Sequence, residues 1–196
     1  MRDKCRKRAV FIDRDGVINK LVHRPGIDVC GRRICYSAPW SYRELEIYQE
    51  TKSSLDALGR LNLLKFLVTN QPDIGYGLLP REEHNKIMAD IFALGFDDIF
   101  ICFHGRHENC NCKKPKPGML IEAARKWNID LGNSYMVGDS VSDMEAGKSV
   151  GCKTLLVSDS LKTICNKYDF VAKNILEVAR IIEKNERRKR NDGNFY

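Results

Sequence analysis

Five short apolar runs, each ending in polar residues and each followed by a stretch long enough for a helix or loop, set the main limit on how this chain can fold. They are AVFID (9–13), LLKFLVTN (63–70), DIFICF (98–103), SYMVGD (134–139) and CKTLLV (152–157). Runs this short and this rich in Val, Ile, Phe and Leu suit strands buried on both faces. Between them, Pro80 opens a stretch, 80–94, that aligns Ile87, Ile91 and Leu94. Pro117 opens another, 117–127, that aligns Met119, Ala123 and Trp127. Strand followed by helix, repeated, predicts an α/β fold: a doubly wound parallel sheet with helices on both faces.

In such a sheet ligands bind beyond the carboxyl ends of the strands. Three polar clusters fall there: Asp13 to Asp15, Thr69 to Gln71, and Gly138 to Asp143. An irregular stretch, 16–49, holds Pro25, Gly26, Gly31 and Pro39 and a candidate short strand at ELEIY. It is expected to form a small flap of about 17–49 over the crevice, with no large cap domain. The expected organisation is a basic segment 1–8, one catalytic domain 9–183, and a basic, disordered tail 184–196.

The formal net charge of +7 sits at the ends. Residues 2–8 carry net +4 and residues 184–192 net +3, so the body is balanced and no broad basic surface for nucleic acid is expected. No apolar run approaches the roughly 20 residues that cross a bilayer, and MRDKCRKRAVFID has no apolar core before a cleavage site. These features predict a cytoplasmic, unprocessed protein that touches no membrane, and a monomer is expected. In a reducing compartment eight cysteines point to metal binding before disulfides. Cys5, Cys152 and Cys165 are scattered and read as packing residues.

FIDRDGVIN places two carboxylates at i and i+2 where a strand enters a loop. A phosphate ester needs a nucleophile in line with the leaving oxygen and an acid near that oxygen, so Asp13 can attack while Asp15 protonates. Two anions repel a phosphate unless a hard cation intervenes. Mg²⁺, held by Asp13 and a third carboxylate such as Asp139, meets that need.

CFHGRHENCNCKKP supplies Cys102, His104, Cys110 and Cys112, four soft ligands for a tetrahedral structural zinc in the loop 102–112. A variant set has His107 in place of His104, and a weaker candidate site joins His23, Cys30 and Cys35.

The order DRDG, then TNQ, then KKPKPG, then GDSVSD resembles the haloacid dehalogenase (HAD) superfamily over roughly residues 9–157. The resemblance implies a Rossmann-like phosphatase that forms an aspartyl phosphate on Asp13, with Asp15 as acid and base. It implies that Thr69 and Asn70 hold phosphoryl oxygens, that Lys114 neutralises charge, and that the backbone carbonyl of Asp15 joins Asp13 and Asp139 at magnesium. Gln71 and Lys113 are expected at the substrate, and Asp143 behind the site or beside Lys114. A plain acid at a helix start is the other reading of Asp143.

The zinc loop is similar to the heptose-bisphosphate and histidinol phosphatase branch. Its five-residue spacing looks like histidinol phosphatases; KPKPGM, SYMVGD and DMEAG look like phosphatases that remove the 7-phosphate of D-glycero-D-manno-heptose 1,7-bisphosphate, which serve synthesis of surface polysaccharide. The partner implied is a sugar phosphate. The chain departs from that pattern at Pro72 and Asp73, where Ser-Gly usually stands, and at Tyr76, where an arginine usually precedes the glycine. Lys113 also replaces a common arginine, and Arg32 and Arg33 in the flap are candidate phosphate contacts. Polynucleotide 3′-phosphatases share DxDG and TNQ but lack the zinc loop, and an inert binding module is the remaining alternative.

Overall fold

The structure, a computed structural model, describes residues 6–158 and 168–192, with side chains as far as Lys189. Cys5 and Cys165 lie outside the described residues. Six parallel strands form one sheet: β1 (Arg8–Ile12), β4 (Leu63–Asn70), β5 (Asp98–Cys102), β6 (Tyr135–Gly138), β7 (Lys153–Val157) and β8 (Phe170–Ala172). The five expected runs become β1 and β4 to β7; the three-residue β8 is an edge strand that no long apolar run announces. The strand order is β5-β4-β1-β6-β7-β8. Sequence order therefore reverses at β1, and the chain leaves β1 between neighbours that run on in opposite directions. That divergence opens a crevice above its carboxyl end.

Alternate residues of β1 feed two cores. Val10 and Ile12 pack with Leu55 and Leu58 of α1 (Thr51–Arg60), Ile87 and Ile91 of α2 (Arg81–Ala93), and Val178 and Ile182 of α5 (Ile175–Asp192). Ala9 and Phe11 pack with Met119 and Ala123 of α3 (Gly118–Trp127). All four β1 residues are fully buried, as a strand with helices on both sides requires. In the second core the Phe66 ring lies 5.6 Å from Phe11, 5.7 Å from Trp127 and edge-on to Phe100 at 5.9 Å. The remaining helix, α4 (Val141–Ser149), starts directly after β6, with the Ser140 N–H donating to Asp143 Oδ2 at 3.1 Å.

The flap is ordered as a hairpin, β2 (Val22–Val29) and β3 (Arg32–Ser37), antiparallel with a register shift between His23 and Ile27. ELEIY is not a strand. Residues 42–44 form a 3-10 turn, and Ile47 makes a single bridge to Asn19. Arg24 stacks 3.7 Å from the Trp40 ring centre and bonds Ser37 and Glu44, tying the hairpin to the residues beneath it. Cys30 and Cys35 are exposed, and no metal-capable group among the described residues includes them. Arg32 and Arg33 at the hairpin tip are exposed too.

The expected disordered tail is corrected as far as Asp192, where α5 ends. Its apolar stripe, Ile175, Val178, Ala179 and Ile182, continues at the next turn as Glu186, which is buried. Glu186 takes a 2.8 Å hydrogen bond from the Tyr135 hydroxyl and an ion pair from Arg8. A charged residue at a buried position hid the helix from a reading based on apolar periodicity. The same ion pair anchors Arg8, the last residue of the basic segment 1–8.

Candidate active site

The carboxyl ends of β1, β4 and β6 bring the three polar clusters together. They line one cavity of about 310 Å³ that includes Asp13, Asp15, Thr69, Asn70, Lys114 and Asp139. Asp13 follows β1 directly, its N–H continuing the ladder to the Val137 carbonyl at 2.9 Å. Its Oδ1 accepts from the Arg14 N–H at 2.7 Å and lies 2.9 Å from Lys114 Nζ. Both contacts fall on one oxygen, which leaves Oδ2 without a donor among the described residues.

Lys114 is almost wholly buried. Its ammonium also meets Asp143 Oδ1 at 2.6 Å and donates to the Val68 carbonyl at 2.8 Å, so all three N–H groups are directed. Asn70 clamps its backbone, accepting from Lys114 N–H and donating to Lys114 C=O, both at 3.1 Å. Asp143 thus serves both readings of the sequence: it holds Lys114 with one oxygen and caps α4 with the other.

Asp15 is fixed by four N–H donors. Oδ1 accepts from Arg14 Nε (3.1 Å), Arg14 Nη2 (2.9 Å) and Asn19 Nδ2 (3.0 Å), and Oδ2 from Gln71 Nε2 (2.8 Å). Gln71, expected at the substrate, is fully buried and contacts Asp15 and the Thr69 hydroxyl instead. Its place at the strand end is as expected; its side chain turns inward because Asp15 leaves an acceptor to fill. Lys113 also differs from expectation. Its ammonium donates to the His104 carbonyl at 3.0 Å, and the residue lines a neighbouring cleft with Arg106 and His107. Arg14, whose guanidinium is wholly buried, was missed by the sequence reading although it stands between the two aspartates.

Asp13, Asp139 and Asp143 each offer an oxygen within 4.8 Å of the others. Burial, with the facing carboxylates adding to it and Lys114 opposing, raises Asp13 to about 6. Burial, then Asp13 and Asp143, raises Asp139 to about 8. A site that crowds anions until they hold protons is one a hard dication would relieve, so the donor set fits Mg²⁺. Asp143 is already bonded to Lys114 and Ser140, which leaves Asp13 and Asp139 as the available carboxylates. Gly16 permits the approach of Asp139: with φ +78°, it lies where an added Cβ would stand 2.2 Å from Asp139 Oδ2.

The second metal-capable group joins Cys102, His104, Cys110 and Cys112, again with ligand atoms within 4.8 Å of one another. Cys102 Sγ lies 3.8 Å from Cys110 Sγ and 3.5 Å from His104 Nδ1, and Cys112 Sγ lies 3.3 Å from Nδ1. The edges of a tetrahedron around zinc are about 3.8 Å for S···S and about 3.6 Å for S···N, so the four atoms fit that metal. Burial and the neighbouring sulfurs push the Cys112 thiol up to about 12, a cost that a cation removes. His104 and not His107 completes the set, and Cys152 is a buried packing residue as expected.

The chain is also similar to proteins of known family and fold. A family model described as HAD-hydrolase-like matches residues 111–178. The chain is 30% identical to a D-glycero-beta-D-manno-heptose-1,7-bisphosphate 7-phosphatase of Pasteurella multocida, over 90% of this chain and 97% of that one. It is 33% identical to the enzyme of that name from Vibrio cholerae, over 89% and 93%. Its fold is similar to the crystal structure of D,D-heptose 1,7-bisphosphate phosphatase from B. bronchiseptica complexed with magnesium and phosphate. The TM-score is 0.74 and the identity 27%, covering 91% of this chain and 99% of that one.

Proposed function

Given that this chain belongs to the HAD-like hydrolases, in the group of the heptose-1,7-bisphosphate 7-phosphatases, we propose that it removes the 7-phosphate of D-glycero-D-manno-heptose 1,7-bisphosphate through an aspartyl phosphate on Asp13. The observation that carries the mechanism is the convergence of Asp13, Asp15, Thr69, Lys114 and Asp139 on one cavity.

In the first half reaction an oxygen of Asp13 attacks phosphorus in line with the ester oxygen. The P–O bond to the sugar breaks and Asp15 gives its proton to the departing alkoxide. In the second half, Asp15 takes a proton from the water that attacks the aspartyl phosphate, and inorganic phosphate leaves. Arg14, Asn19 and Gln71 hold Asp15 at one angle through both transfers. The Thr69 hydroxyl and Asn70 donors hold nonbridging oxygens, and Lys114 offsets negative charge around Asp13. Asp13, Asp139 and the Asp15 carbonyl would hold Mg²⁺, which when bound draws charge from the phosphoryl oxygens.

Zinc on Cys102, His104, Cys110 and Cys112 would be structural, since four protein ligands leave no position for substrate. Bound there, it would fix the loop that runs one residue further into Lys113 and then Lys114. Three thiol ligands suit a reducing compartment, which supports a cytoplasmic enzyme, here taken as a monomer. No helix among the described residues is long and apolar enough to cross a membrane.

Phosphate release should be measured on heptose 1,7-bisphosphate, histidinol phosphate and a 3′-phosphorylated oligonucleotide. The bisphosphate is expected to be hydrolysed best, and Asp13→Asn to lower its turnover by more than about a thousandfold. Faster turnover of either alternative substrate would overturn the assignment, and an active Asp13→Asn enzyme would overturn the mechanism.

A further inference from the structure

The Thr69 hydroxyl stands apart from those of Ser37 and Ser140 in the lining of the same cavity. Ser37 donates to the Ala38 carbonyl at 2.6 Å and Ser140 to Asp143 Oδ2 at 2.5 Å, so their protons are already placed. Thr69 Oγ1 instead accepts an N–H from Gln71 Nε2 at 2.9 Å, and it donates to no group among the described residues. The donor is itself pinned. Gln71 is fully buried, and its other amide N–H goes to Asp15 Oδ2 at 2.8 Å. Gln71 Oε1 is buried with no partner among the described residues.

A half-turn of the amide would offer Oε1 to the Thr69 proton, but it would also set that oxygen against Asp15 Oδ2 and forfeit the bond between them. Asp15 cannot turn away in compensation, because Arg14 and Asn19 hold its Oδ1. The fold therefore leaves Oε1 unpaired and keeps both amide protons directed. With Gln71 filling one lone pair of Thr69 Oγ1, the hydroxyl's own proton must point elsewhere. Its open side is the cavity that receives the phosphoryl group.

We propose that Gln71 is a positioning residue that aims the Thr69 proton at a nonbridging phosphoryl oxygen, so that Asp15, Gln71 and Thr69 form one buried chain of hydrogen bonds from the acid to the phosphoryl pocket. The inference rests on the phosphatase reading above and adds the group that sets the direction of its hydroxyl donor. The count of protons decides why an amide stands here. An amide nitrogen carries two, one for Asp15 and one for Thr69, whereas a carboxyl oxygen in its place carries one at most.

The test is a double-mutant cycle on the full chain with Mg²⁺, read as kcat/KM on the ester the parent hydrolyses best and as the inhibition constant of vanadate. With Gln71 in place, Thr69→Val should lower kcat/KM and raise the vanadate constant, each by about tenfold to a hundredfold, the range for a hydrogen bond to a charged group. Thr69→Ser, which keeps the hydroxyl, should stay within about threefold of the parent. In Gln71→Glu the single proton goes to Asp15 and the Thr69 hydroxyl turns back to donate to the new oxygen, so Thr69→Val should then cost less than about threefold. Gln71→Met keeps the volume without a charge and carries the test if melting curves show the glutamate variant unfolded; there the cost of Thr69→Val should shrink by at least about threefold. Whatever Gln71 does through Asp15 is the same with and without the Thr69 hydroxyl and cancels from the cycle. An equal cost of Thr69→Val in all the folded backgrounds overturns the inference alone. A parent that releases phosphate from no ester sinks the phosphatase reading and takes this inference with it.

Discussion

Replacing Gly16 with alanine should damage the magnesium site out of proportion to its effect on folding. The added Cβ would sit 2.2 Å from Asp139 Oδ2, whereas a tolerable carbon–oxygen contact is about 3.3 Å. The carboxylate must therefore retreat by about 1 Å, several times the roughly 0.2 Å tolerance of a metal–ligand distance. The left-handed backbone at φ +78° adds about 1–2 kcal/mol for a residue with a Cβ, and the overlap adds about 1–3 kcal/mol. Half-saturating Mg²⁺ should rise at least about tenfold and kcat fall about a hundredfold. Gly95→Ala is the control, because Gly95 also has positive φ (+98°) but nothing within 4 Å of an added Cβ. It should lose only the backbone share of stability. Magnesium titrations of activity, read beside melting curves of both variants, check the reasoning. A Gly16→Ala enzyme with parental Mg²⁺ dependence and the melting point of the control would refute it.

Lys114→Met strips the cation from two buried carboxylates and should cost about 3–5 kcal/mol by denaturant unfolding, with activity down more than about a hundredfold. Adding Asp143→Asn should restore at least about 1 kcal/mol, and strict additivity would count against the ion triad. In the metal-free chain Asp13 is raised to about 6 and Asp139 to about 8, from an ordinary 3.8. Raised carboxyl groups bind protons in the fold that the unfolded chain has released, so their stabilising share is complete below pH about 4 and lost as pH climbs through 6 and 8. Magnesium binds the ionised forms, so the rise in melting temperature on adding it should grow from pH 5 to pH 8; a flat or reversed trend would remove this account. Cys112→Ala should lower both bound zinc, by elemental analysis, and turnover in excess Mg²⁺, and a variant with parental values of both would disconnect the loop from Lys114.

The parallel sheet was legible because strands buried on both faces must be apolar throughout: AVFID and LLKFLVTN became β1 and β4 nearly residue for residue. The polar residues at their ends were legible as a site because chain order alone puts them at carboxyl ends. The cysteine cluster was legible because metal ligands must recur at short spacing. Less visible were groups whose partner is far away in sequence. Arg14 bonds its chain neighbour Asp15, but the fold buries it and brings Met88 Sδ, 74 residues on, to 3.7 Å from its guanidinium, and Glu186 is buried because Tyr135 and Arg8 bond it from the other end of the chain. Gln71 faces inward because an Asp15 oxygen, 56 residues earlier, needs its N–H.

The sequence alone therefore determined the repeating strand and helix, the gathering of the polar clusters at the strand ends, and the spacing of the cysteine and histidine group, since each follows from local periodicity or spacing. Tertiary structure alone decided how each polar side chain spends its hydrogen bonds: Lys114 on two carboxylates and a carbonyl, and Gln71 on Asp15. The physical reason is that a buried polar group must be satisfied by whatever the fold brings within about 3 Å of it, and that neighbour is fixed by strand order rather than by position in the chain.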